Sequence, residues 1–90
     1  MTTTNAQKIA AWRIEHPVER ITEAILCDLI GTPDLAYVSL VGANLQNAYL
    51  RYANLVGVNL WGADLRYADL QNANLAYANL VGATLVDADQ

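Results

Sequence analysis

Leucine stands at every fifth position from 35 to 85: Leu35, Leu40, Leu45, Leu50, Leu55, Leu60, Leu65, Leu70, Leu75, Leu80 and Leu85. That period fits neither common regular structure. On an α-helix each fifth residue is rotated by about 140°, so the leucines would circle the axis and leave no apolar stripe. On a flat strand an odd step sends successive leucines to opposite faces. These leucines reach one core only if the backbone turns a corner in every unit and coils around them.

The other positions of the unit agree. Two residues before most leucines sits alanine: Ala43, Ala48, Ala53, Ala63, Ala68, Ala73, Ala78 and Ala83. Val38 and Val58 replace it twice, and Pro33 precedes Leu35. Between them stands a mostly polar residue, such as Asn44, Asn54, Asp64, Asp69, Asn74 or Asn79. Alanine is small because it also points inward, while the polar residue points out near the corner. The unit A-(N/D)-L-x-x, repeated over residues 33–89, closely resembles the pentapeptide-repeat family. The resemblance implies an all-β solenoid: a right-handed quadrilateral β-helix with four units per coil and just under three coils. Right-handedness agrees with the general hand of parallel crossovers. Part of the sequence supports four sides independently, since V-G-A-N-L at 41–45, W-G-A-D-L at 61–65 and V-G-A-T-L at 81–85 recur every twenty residues. V-G-V-N-L at 56–60 breaks that spacing.

Residues 1–32 lie outside the period and are expected to form an N-terminal helical cap of two helices, with residues 33–90 as the β-helix. Thr4 and Gln7 match a capping box. His16-Pro17 separates the helices, because the residue before proline is pushed out of helical geometry. Pro17 suits the first turn of the second helix, and Gly31 suits its end. Val18, Ile21, Ile25 and Leu29 make one face of that helix, widened by Leu26 and Ile30. A solenoid leaves its first coil open, and repeat arrays need caps. Val18, Ile21, Ile25 and Leu29 are therefore the candidate cap residues, expected to lie across the opening.

Ninety residues make one domain, and a chain this short needs an unusually economical core. An apolar fraction of 54% without any phenylalanine fits a core of repeated leucine and alanine. The formal charge of −4 argues against direct nucleic-acid binding, which calls for a basic stripe. No apolar run is long enough to span a bilayer, and the N-terminus lacks the apolar core of a signal peptide. Cys27 is the only cysteine, so no intrachain disulfide forms and a reducing compartment fits. A soluble cytoplasmic protein without membrane contact is expected.

Few residues suggest chemistry. His16 is a lone histidine in a turn, with Glu15 and Glu19 as solvated helix surface. Cys27 has no histidine or second cysteine to activate it. Asp64 and Asp69 occupy equivalent positions of consecutive units, but paired carboxylates need a cleft to perform acid–base work. Gly42, Gly57, Gly62 and Gly82 belong to corners of the repeat and not to a phosphate loop. No spacing suggests a metal site. The chain is read as a non-enzyme with no cofactor.

With four units per coil, as the resemblance implies, residues twenty apart stack on one wall. One wall then carries Val41, Trp61 and Val81 beside Gly42, Gly62 and Gly82. The wall before it carries Ala36, Val56 and Ala76, with Tyr37, Gly57 and Tyr77. The other two carry Gln46, Arg66 and Val86, then Arg51 and Gln71. Two apolar walls thus adjoin two polar ones. Tyr37, Val41, Val56, Trp61, Tyr77 and Val81 are the candidate interface, unless the first helix folds back over them with Ile9 and Trp12. The function expected is a protein–protein interaction or scaffold module, its partner an unknown protein or a second copy meeting it through the apolar walls or the C-terminal end. Asp87 and Asp89 at that end would discourage stacking. The family also contains gyrase-protecting proteins whose acidic rods mimic DNA, which is the alternative; Arg66 beside Asp64, and Arg51 on the wall of Asp69, fit it poorly.

Overall fold

The structure is a computed structural model and describes residues 2–89. Gln90, the last residue of the expected β-helix, lies outside the described residues. From Tyr37 to Asp87, each residue two places after a leucine has φ between 58° and 73°. The residue after that donates its N–H back to the leucine carbonyl, as Ala43 does to Leu40 at 3.1 Å. A positive φ at the third position of a four-residue turn is the signature of a type II turn. The backbone therefore turns once per five-residue unit.

Stacking follows a single register. Parallel bridges join Ser39 to Asn59 and Asn59 to Asn79, Asn44 to Asp64 and Asp64 to Thr84, Tyr49 to Asp69 and Asp69 to Asp89, and Asn54 to Asn74. Each step spans twenty residues, so four units make one coil. Leu40 N–H donates to the Asn59 carbonyl at 2.8 Å, and Asn59 N–H donates to Val38 at 3.0 Å. Each pairing is an isolated bridge, and no continuous strand occurs among the described residues. The expectation of an all-β chain is corrected to that extent. A corner every five residues leaves too little straight backbone for a longer ladder.

The Asn/Asp position has a structural task at these corners. Its side-chain oxygen accepts the backbone N–H two residues on, as Asn44 does from Gln46, Asn59 from Trp61 and Asn79 from Val81. Such local bonds are a known property of Asx residues in turns.

Inside the coils, Leu35 to Leu65 are at most 1% exposed, as are Ala43, Ala48, Ala53, Ala63 and Ala68. The inward residues of the last coil, Ala73, Leu75, Leu80, Ala83 and Leu85, are only half-buried. A coil is buried when something covers it from both sides, and no described residue lies beyond this one.

The first coil is covered by the N-terminal segment. Helix α1, Asn5–Glu15, starts at a full capping box between Thr4 and Gln7, with Gln7 N–H on Thr4 Oγ1 and Thr4 N–H on Gln7 Oε1. Helix α2, Glu23–Ile30, is capped by Thr22 and ends on Gly31 at φ 82°. Pro17 does not open the second helix as its sequence suggests. Thr22 is instead extended, and it and Ile21 pair with the first coil: Thr22 bridges Tyr49, and the Ile21 carbonyl accepts the Tyr49 N–H at 2.7 Å. Pairing an open sheet edge outweighs local helix preference there. Val18 is consequently 93% exposed, which removes it from the candidate cap. Ile21 and Leu26 are fully buried, and Ile25 and Leu29 are half-buried against the core. Ile9 of α1, which the sequence does not single out as a cap residue, is fully buried too.

Candidate interaction surface

The corners decide where the exposed aromatics stand. Of the residues with positive φ at the corners, Gly42, Gly57, Gly62, Gly82, Asn47, Asn72 and Asp87 are types that tolerate left-handed backbone. Tyr37, Tyr52, Tyr67 and Tyr77 are not, and each carries strain of about 1 kcal/mol. All four rings are exposed, from just over half for Tyr67 to 90% for Tyr77. Gly57 shows how Tyr37 is accommodated. A Cβ at residue 57 would lie 2.3 Å from Tyr37 Cδ1, so the tyrosine ring covers the glycine directly.

On the neighbouring wall Trp61 is 53% exposed, with Val41 and Val81 exposed in the same column. Val56 is half-buried. The first helix does not cover these residues. Its contacts run along the edge of the first coil, where Asn5 Nδ2 donates to the Ser39 carbonyl at 2.7 Å and Arg13 Nη2 donates to Gln46 at 2.8 Å. Ile9 enters the core from the same helix.

The walls expected to be polar hold further aromatic surface. Tyr49, Tyr52 and Tyr67 are exposed there. Arg20 lies 5.3 Å and Arg51 5.9 Å from the Tyr49 ring centre, both within reach of a cation–π contact. Residues 20 and 49 come together only because the segment before α2 pairs with the first coil. No local pattern carries that information.

The acids of the walls are engaged. Asp64 accepts Arg66 Nε and Nη2 at 2.9 and 2.7 Å. That bidentate bond is the main reason its carboxyl sits below the usual range. Asp69 accepts Arg51 Nε at 2.6 Å and the Gln71 N–H at 3.2 Å. Desolvation pushes Asp69 up, but the Gln71 N–H, the Arg51 hydrogen bond and the charges of Arg51 and Arg20 outweigh it. Its carboxyl is therefore held low. A depressed carboxylate stabilises the fold fully above its unfolded pKa, and that contribution fades as pH falls through the folded pKa. Asp69→Asn keeps the oxygen facing Gln71 and removes the charge. It is expected to lower the urea midpoint at neutral pH and to flatten its decline in acid. An unchanged acid limb would show that Asp69 is not a source of that decline.

His16 stacks on Trp12 with ring centres 4.4 Å apart and planes 12° from parallel. Its Nδ1 lies 2.9 Å from the Trp12 carbonyl, at the C-terminal end of α1. That is a helix-ending role. Cys27 is half-buried, and desolvation, followed by the charges of Glu23, Asp34 and Asp28, raises its thiol pKa. A protonated thiol is a poor nucleophile. Among the described residues, no group of three or more His, Cys, Asp or Glu side chains is placed to hold a metal ion. No helix among the described residues is long and apolar enough to cross a membrane.

The model of the pentapeptide repeats matches residues 34–66 and 53–89, well over half the chain. The chain belongs to the pentapeptide repeat family. A solved relative is the crystal structure of a pentapeptide repeat protein, Rfr23, from the cyanobacterium Cyanothece 51142. It is 46% identical over 63% of this chain, with a TM-score of 0.55. This pentapeptide repeat protein spans only 37% of the length of that relative. No curated protein matches it. The family identity accounts for the leucine period and the twenty-residue register, and it names no partner.

Proposed function

We propose that this pentapeptide repeat protein is a non-enzymatic protein–protein interaction module of the cytoplasm. In this reading a right-handed, four-sided β-helix displays aromatic side chains to a protein partner. One observation carries the reading: Tyr37, Tyr52, Tyr67 and Tyr77 stand exposed at left-handed corners where glycine or asparagine would be less strained. Backbone strain retained at an exposed site points to a surface role. Tyrosine and tryptophan are also the side chains that contribute most at interfaces. Tyr37 and Tyr77 adjoin the wall of Trp61, Val41 and Val81, and with Val56 these residues make one aromatic and apolar surface, while Tyr52 and Tyr67 stand on the other two walls. The first partner to test is a second copy of the chain. The DNA-mimic alternative lacks comparable support, because the wall carboxylates Asp64 and Asp69 are each paired with an arginine.

Light scattering over a wide concentration range tests the proposal, with reducing agent present. The wild type is expected to dimerise with rising concentration. Trp61→Glu is expected to stay monomeric with an unchanged circular dichroism spectrum. A wild-type monomer at every concentration, or a dimer indifferent to Trp61→Glu, would sink self-association through this wall.

A further inference from the structure

A groove of about 560 Å³ opens beside the first coil, lined by Arg13, Pro17, Val18, Glu19, Arg20 and Asn47. Two guanidinium groups reach it from different elements. Arg13 comes from the last turn of α1, and Arg20 from the segment before α2. Each is anchored by a backbone carbonyl of the first coil. Arg13 Nη2 donates to Gln46 at 2.8 Å, and Arg20 Nε donates to Asn47 at 2.7 Å.

Neither arginine has an ion-pair partner among the described residues, where both salt bridges belong to Arg51 and Arg66. Asp64 is near enough for its charge to act on Arg13, but both its oxygens are occupied by Arg66. Arg13 Nη1 is buried without any hydrogen-bond partner. In an acidic chain, two cations therefore converge on one groove, and neither is held in a direct ion pair although Asp64 and Asp69 lie near enough for their charges to be felt. Carbonyl anchoring uses one donor of each guanidinium and holds the rest in place. That is a suitable arrangement for an oxyanion, which arginine recognises through several N–H groups at once.

We infer that this groove binds an oxyanion, a carboxylate or a phosphate group, between Arg13 and Arg20. Glu19 is the one acid in the lining and weakens that binding by repulsion. Pro17 and the exposed Val18 form an apolar flank for whatever carries the anion. The lining contains none of the residues of the Trp61 surface, and the site does not depend on the role proposed for that surface.

The test is a nitrogen-detected NMR titration of the full chain with sodium phosphate and, separately, with sodium acetate. Sodium chloride at matched ionic strength is the control. The Nε–H signals of Arg13 and Arg20 are expected to shift to saturation with an oxyanion and not with chloride. Whichever oxyanion saturates first identifies the group, phosphate or carboxylate. Arg20→Gln is expected to weaken binding about tenfold, as loss of a charge-assisted contact should. Glu19→Gln is expected to tighten it severalfold. Absence of saturation beyond the chloride control, or equal binding by Arg20→Gln, would overturn the site. Should Arg20→Gln alter the circular dichroism spectrum, Glu19→Gln decides, and unchanged affinity in that variant counts against the site.

Discussion

Leu60→Ala is expected to destabilise the protein by about 3 kcal/mol, as truncation of a fully buried leucine does when its surroundings cannot collapse. Leu80→Ala, one coil further on in the same column, is expected to cost only about 1 kcal/mol. The chemistry of the two substitutions is identical, and the repeat places both leucines in the same position. Their environments differ. Leu60 is fully buried between the coils of Leu40 and Leu80, whereas Leu80 is half-buried with no described coil beyond it. A cavity at residue 60 is bounded on both sides by backbone that is hydrogen-bonded into the ladder and cannot close in. Urea denaturation followed by circular dichroism should show the difference as unequal midpoints at similar slopes. Equal losses would mean that the last coil is covered in solution, and a second chain would be the first candidate.

Ile9→Ala should be nearly as damaging, at about 2–4 kcal/mol, although Ile9 lies outside the repeats altogether. It is fully buried and belongs to the same core as the leucines. The first coil needs this cover because its leading edge has unpaired backbone groups and apolar side chains. The N-terminal segment supplies both kinds of partner. Ile9, Ile21 and Leu26 meet the apolar interior. Asn5, Arg13, Arg20, the Ile21 carbonyl and Glu23 meet the backbone at Ser39, Gln46, Asn47, Tyr49 and Asn54. Val18→Ala is the matched control, expected to change stability by less than about 0.5 kcal/mol because the side chain is solvated. Thermal melts of the two variants check the contrast. A loss at Val18 as large as that at Ile9 would mean that the segment from Pro17 to Ile21 is packed differently in solution.

The contrast between Ile9 and Val18 shows where sequence reading stops. Both are apolar residues in amphipathic surroundings. A helix starting at Pro17 puts Val18 on the same face as Ile21, Ile25 and Leu29. The structure instead delays the helix to Glu23, because the free edge at Tyr49 offers parallel pairing to Thr22. The benefit of that pairing arises from a residue 27 positions away in the chain, and no local pattern registers it. The same holds for the groove, since Arg13 and Arg20 face Gln46 and Asn47 only once the segment has docked.

The sequence by itself determined the period, the leucine–alanine interior and the need for a turn in every unit. Five is incommensurate with both helix and strand, so a single repeated spacing left one class of solution. It also determined family membership, which the motif carries in plain view. Tertiary structure decided which residues close the first coil, how the wall carboxylates are paired and which rings reach solvent. Those outcomes depend on hydrogen bonds and contacts between residues distant in sequence. Their energies are set when an edge meets a partner, and a one-dimensional pattern contains the edges without stating what covers them.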